Sequence, residues 1–98
     1  MMYRATDHIP DPQTHIIPRE REILFLLATG MGQHGVARVL YCSRQTVKCH
    51  LARLYQRWDV PRLESALVRA LAIGVFAQDD IEAADRICRK RAAAQEER

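Results

Sequence analysis

Ser43-Arg44-Gln45-Thr46-Val47-Lys48-Cys49-His50-Leu51-Ala52-Arg53-Leu54-Tyr55-Gln56-Arg57-Trp58 is the stretch whose reading decides the fold of this chain. Val47, Leu51, Leu54 and Trp58 recur at spacings of four, three and four, which predicts a helix with one apolar stripe. Ser43 stands where a hydroxyl can cap the first free backbone amides. The opposite face holds Arg44, Gln45, Lys48, Cys49, Ala52, Arg53 and Arg57, with four cations and no acid. A helix held by one face and purely basic on the other suits an anionic surface. A phosphate backbone is the first candidate, against the plainer reading of a solvated surface helix.

The helices expected on either side of this stretch are short. Pro18 opens one of them, where its missing amide costs nothing, with Glu20 and Glu22 near its positive end. Ile23, Leu24, Leu26 and Leu27 are its buried face, and Thr29-Gly30 ends it. A second helix, about Gln33 to Leu40, buries Val36, Ala37, Val39 and Leu40. It is weakly made, because Gly32 offers no hydroxyl cap and an interior Gly35 costs about 1 kcal/mol against alanine. Tyr41-Cys42-Ser43 turns into the basic helix. Beyond Trp58, Pro61 disfavours helical geometry at Val60. A fourth helix, about Leu63 to Ile73, carries Ala66, Leu67, Ala70 and Leu71 on its apolar face and stops at Gly74, with Val75 and Phe76 folding back on the core. A fifth, from about Asp79, is capped by Asp79 or Asp80 and carries a narrow stripe of Ile81, Ala84, Ile87 and Cys88. No strand is expected.

Charge is unevenly spread over the 98 residues. Residues 16–76 hold nine basic and four acidic side chains, whereas residues 1–15 and 77–98 are each slightly acidic, within a formal net charge of +3. The domain expected over 16–76 therefore carries the positive charge. It lies between an extended N-terminal arm over 1–15, with Pro10 and Pro12, and a C-terminal helix within 77–98. Hydrophobic content of 48% with only 6% aromatics suits an all-α core of Leu, Ile, Val and Ala. No stretch is long and apolar enough for a membrane, and no secretory signal opens the chain. Three cysteines without a paired framework point to a reduced, cytoplasmic setting.

Four motifs in order go further. Ile17-Pro18-Arg19-Glu20-Arg21-Glu22-Ile23-Leu24, Leu27-Ala28-Thr29-Gly30, Val36-Ala37 and Ser43-Arg44-Gln45-Thr46-Val47-Lys48-Cys49-His50-Leu51 resemble the LuxR-type (GerE-like) DNA-binding domain. Val60, Ala66 and Gly74 also fall where that family has similar residues. The resemblance covers about residues 16–76. It implies a four-helix helix-turn-helix domain with the third helix in the major groove, in a bacterial transcription regulator that works as a dimer on double-stranded DNA. It implies DNA contact by Ser43, Arg44, Gln45, Thr46, Lys48, Cys49, Arg53 and Arg57. Thr46 donates to a phosphate, Lys48 and Cys49 sit where side chains reach base edges or nearby phosphates, and Arg53 and Arg57 meet the backbone or only water. Lysine suits guanine O6 and N7, whereas a thiol offers only a modest contact. The family uses its fourth helix for dimer contacts. Together with the extra helix this makes Ala66, Leu67, Ala70, Leu71, Ile81, Ala84, Ile87 and Cys88 the expected dimer surface, against the equal alternatives that the fourth-helix face is core and that the fifth helix packs on its own domain.

The sequence also departs from the family. Ile17 replaces the threonine before Pro18, Gly32 and Gly35 replace a Ser-x-x-Glu capping box, and His34 replaces a phosphate-contacting lysine. A weaker second helix and lower DNA affinity follow. At 98 residues the chain leaves no room for the receiver or ligand-sensing domain of typical members, so regulation through such a domain is not expected. No cofactor is expected. Cys42, Cys49, His50 and Cys88 have the wrong spacing for zinc, since Cys49 and His50 point about 100° apart on a helix. There is no nucleophile-base-acid set and no phosphate loop, so an enzyme is not expected. The second function class is a protein-interaction module of the same fold, binding a related regulator, RNA polymerase or a sigma factor. Sigma-factor region four, with its similar Arg-Glu-Arg-Glu helix, ranks third.

Overall fold

Pro18 occupies the first turn of α1 (Pro18–Ala28), and the backbone amide of Ile17 just before it is held by the Glu20 carboxylate at 3.2 Å. Glu20 thus supplies the half of a capping box that needs no hydroxyl at the cap. The computed structural model describes residues 15–96. The arm expected over residues 1–15 lies, apart from His15, outside the described residues. At the far end of α1 the buried Thr29 hydroxyl donates to the Leu26 carbonyl at 2.6 Å, and Gly30 takes a φ of 95° that a side chain would strain.

Four further helices follow: α2 (Gln33–Val39), α3 (Arg44–Trp58), α4 (Leu63–Ala72) and α5 (Gln78–Glu96). All regular structure among the described residues is helical, so the all-α expectation holds. Helix α3 is central. It packs on α1, α2 and α4, and its stripe of Val47, Leu51, Leu54 and Trp58 is buried throughout. Ile23 and Leu24 from α1, Val36 and Ala37 from α2, and Ala66 and Ala70 from α4 close the core around that stripe. Residues 47, 51, 54 and 58 of α3, and 66 and 70 of α4, are three or four apart because that spacing returns to one side of a helix.

Helix α2 forms without a side-chain cap, as Gly32 foretold. Its stability comes from burying Val36 and Ala37 rather than from its ends. Val39, expected inside, is instead about half exposed. Gly35 also has a positive reason to be glycine, since a Cβ there would come within 2.8 Å of Met31 Cγ, and Met31 packs against the core. At Gly32, by contrast, a Cβ meets nothing and the backbone is already extended. Gly32→Ser is therefore expected to raise stability by about 0.5 kcal/mol, or about 2–4 °C in a thermal melt. An unchanged or lowered midpoint would show that the amides at this helix start gain nothing from a hydroxyl.

Two expectations about the C-terminal third need correction. Helix α5 begins at Gln78, before both aspartates. Asp80 acts from inside the first turn, its Oδ2 accepting the Ala77 amide at 3.1 Å and the Arg21 guanidinium at 2.8 Å. On α4, Ala66 and Ala70 are fully buried in the domain's own core and are removed from the dimer surface. Methyl-sized side chains there let α4 approach its neighbours closely, and nothing of them is left to touch a second molecule. Leu71 remains about half exposed, and Phe76 folds back as expected to meet Phe25 edge-on at 6.2 Å between ring centroids.

Candidate nucleic-acid interface

Ser43 is fixed at the start of α3 by its own hydroxyl. Its Oγ accepts the Thr46 amide at 3.0 Å and lies 2.9 Å from the Thr46 hydroxyl. The cap satisfies one of the free amides of the first turn. The amides of Arg44 and Gln45 are left at a helix end whose dipole favours an anion. From this end the exposed residues Arg44, Gln45, Thr46, Lys48, Cys49, Ala52 and Arg53 run along one side of α3, opposite the buried stripe.

From Arg44 to Arg53 this side is about 13 Å long at the rise of an α-helix, close to the width of a DNA major groove. Arg44, Lys48 and Arg53 have no ion-pair partner among the described residues, and α3 contains no acid. Their charge is therefore not neutralised by neighbouring acids. Gln45 Nε2 donates to Cys49 Sγ at 3.6 Å, one turn on, which ties the two uncharged members of the face together. His50 sits at the edge of the face. Its Nδ1 is shielded from water without a hydrogen-bond partner, in keeping with packing and not with catalysis.

Arg57 departs from the expected set. Its guanidinium forks onto Glu20, Nη1 to Oε1 at 2.7 Å and Nη2 to Oε2 at 3.0 Å, and Nη1 also reaches the His15 carbonyl at 3.3 Å. Glu20 is almost completely buried and Arg57 mostly so. The hydrogen bond to Glu20 raises the Arg57 pKa, outweighing the opposing effect of burial. Trp58 Nε1 donates to the same His15 carbonyl at 2.9 Å. Arg57 is therefore a tie between α3, α1 and the segment before α1. It aims the basic face but does not belong to it. Its partner had a signal in the sequence, because Glu20 falls in register with Ile23, Leu24 and Leu27.

A second long-range tie holds α5. Arg21 on α1 donates from Nε to the Val75 carbonyl at 3.1 Å, from Nη2 to Asp80, and its guanidinium carbon lies 5.6 Å from the centre of the Phe76 ring. Leu67 and Leu71 of α4, Ile81, Ala84 and Cys88 of α5, and Phe25 and Ala28 of α1 line a groove of about 270 Å³. Of the expected dimer residues, these five line the groove, and Ile87 is partly exposed outside it. Among the described residues no three His, Cys, Asp or Glu side chains gather as a metal site, and no helix is long and apolar enough to cross a membrane.

Comparison with known proteins accords with the four-motif pattern. The family model "Bacterial regulatory proteins, luxR family" matches residues 17–70, more than half of the chain. The transcriptional activator protein CarR of Pectobacterium carotovorum is 35% identical over 72 residues, covering 71% of this chain and 30% of that protein. A protein of Mycobacterium tuberculosis named as a transcriptional regulatory protein, NarL, is 38% identical over 53 residues, covering 54% of this chain and 24% of its own length. The chain thus spans less than a third of the length of either relative. No solved structure matches the chain significantly.

Proposed function

The chain belongs to the LuxR family of bacterial regulatory proteins, which bind DNA to regulate transcription and are not enzymes, and we propose that it reads a specific DNA sequence through α3 as a homodimer in the bacterial cytoplasm. The observation that carries this reading is the exposed, unpaired basic face of α3, clamped from behind by the Arg57–Glu20 fork. Lys48 lies in the middle of that face and is the candidate for guanine O6 and N7. Arg44 and Gln45 stand near the helix start, within reach of base edges or phosphates. Thr46, beside the cap, donates to a phosphate, and Arg53 contacts the backbone one or two turns on. Cys49 contributes a small, weakly polar surface. Ser43 acts mainly by capping.

Selection from a pool of random duplex DNA, run beside Lys48→Ala at two salt concentrations, tests this. The expected result is an enriched two-fold motif. The variant should lose about 1–3 kcal/mol of discrimination at the base it reads, about 5- to 150-fold. Salt-sensitive binding without enrichment would limit the protein to phosphate contact and remove the sequence-specific reading.

One observation favours a second reading. The helix that supports α3 is uncapped, and an apolar groove between α1, α4 and α5 is lined by no residue of α3. A module of this fold that captures a related regulator, RNA polymerase or a sigma factor would have these features. A folded chain that binds no duplex at all would favour it.

A further inference from the structure

Helix α5 is divided by charge. Residues 78–85 carry Asp79, Asp80, Glu82 and Asp85 with no base, and residues 86–91 carry Arg86, Arg89, Lys90 and Arg91 with no acid. The helix dipole does not account for this. Its influence fades within the first and last turns, yet Asp85 and Arg86 meet near mid-helix, and the last turn of α5 holds no basic residue. Contacts within the domain do not account for it either. Asp80 is used by Arg21, and Arg91 lies along Gly30, where a Cβ would come 3.3 Å from its Cδ. Glu82, Asp85, Arg86, Arg89 and Lys90 are all exposed, and the Asp85–Arg89 pair at 3.1 Å is a surface contact one turn apart. Next to these charges runs the α5 side of the apolar groove, formed by Ile81, Ala84 and Cys88 and bordered by Asp85.

We propose that the groove is covered by α5 of a second copy of this chain, the two helices running antiparallel across a two-fold axis near the Asp85–Arg86 boundary. Antiparallel pairing sets the acidic half of each helix against the basic half of the other. Parallel pairing would set like against like, so the charge pattern selects the orientation as well as the partner. A two-fold arrangement lets one surface serve both copies. The small side chains of Ala84 and Cys88 permit close approach, and Ile81 and Leu71 supply apolar area that is now partly in water. This deepens the homodimer reading above and rests on it, by giving the second copy a place to bind.

The test uses complementary charge reversals in the full chain. Glu82→Lys with Asp85→Lys makes residues 82–89 of α5 purely basic, and Arg86→Glu with Arg89→Glu makes the same stretch purely acidic. In sedimentation at micromolar concentration the unaltered chain is expected to be a dimer. Each variant alone should be monomeric, its dimerisation weakened at least about tenfold by like-charge contact. An equimolar mixture should recover a heterodimer. Circular dichroism confirms that each variant keeps its helices. Cys88 gives an independent readout. With the axis at the charge boundary, a helical rise of about 1.5 Å, an α-carbon radius of about 2.3 Å and an interaxial distance of about 9 Å place the two Cys88 α-carbons about 9–12 Å apart. In a Cys49→Ser background a short bismaleimide should link two copies, and the link should vanish in Cys88→Ser.

An unaltered chain that sediments as a monomer, variants that both remain dimers, or a mixture that stays monomeric would each overturn the proposal. Selection from random duplex DNA separates this from failure of the DNA reading. Charge-reversed chains that still bind DNA with salt sensitivity, but enrich only a half-site, have lost the pairing and kept the reading head. Binding lost from all chains alike, with the dimer intact, leaves the pairing standing and removes the DNA reading.

Discussion

Glu20→Ala is expected to destabilise the domain by about 3–5 kcal/mol, lowering the thermal midpoint by about 15 °C or more. The size follows from geometry. A buried carboxylate accepts two hydrogen bonds from Arg57 and a third from the Ile17 amide, and its removal leaves a largely buried guanidinium without its partner. Against a total stability of about 5–15 kcal/mol for a typical domain, that is a large fraction. Arg57→Ala should cost a similar amount, and the double variant clearly less than the two single losses added together. Arg57→Lys should not rescue, because an ammonium cannot fork onto both carboxylate oxygens. Thermal melts of the four chains check this. Were Arg57 chiefly a DNA contact, its alanine variant would melt like the unaltered chain and lose only affinity.

The second large effect is expected at Trp58, the only tryptophan in the chain. Trp58→Ala should cost about 3–5 kcal/mol, since its ring is fully buried where α3 meets its neighbours. Trp58→Phe separates the ring from its polar edge. It keeps most of the apolar volume and loses the donor to the His15 carbonyl, for an expected cost of about 1 kcal/mol from the hydrogen bond, plus whatever the smaller ring leaves unfilled. Far-UV circular dichroism during urea unfolding measures both. An alanine variant no less stable than the phenylalanine variant would mean that the ring is not the centre of the core. Because Arg57 and Trp58 share one carbonyl, effects at the two positions should not add.

Much of this was legible in the sequence because it is local. The 47, 51, 54, 58 stripe, the Pro18 start, the Gly30 and Gly74 stops and the Ser43 cap each depend on residues within a turn or two, and each appears where spacing placed it. Of the seven polar or small residues read opposite that stripe, six lie on the exposed side of α3, and Arg57 is the exception. What spacing could not show was pairing over distance. Glu20 and Arg57 are 37 residues apart, and each alone looks like an ordinary surface charge. The register of Glu20 with Ile23, Leu24 and Leu27 was the overlooked signal, since a carboxylate on that side is buried and demands a partner. The partner's identity needed the packing of α1 against α3. Ala66 and Ala70 were ambiguous for a related reason. An alanine stripe reads the same whether it meets its own core or another molecule, and only the position of α4 decides.

The two ties on α1 also differ in when they can form. A chain grows from its N-terminus at about 5–20 residues per second. Glu20 meets Arg57 after 37 further residues, whereas Arg21 must wait 59 for Asp80. At those rates the last residue of the second tie is made about 1–5 s after that of the first, and the basic half of α5 comes later still. In order of synthesis the residues of the fork that aims α3 come first, those of the clasp that seats α5 follow, and the basic half of α5 is made last of the three.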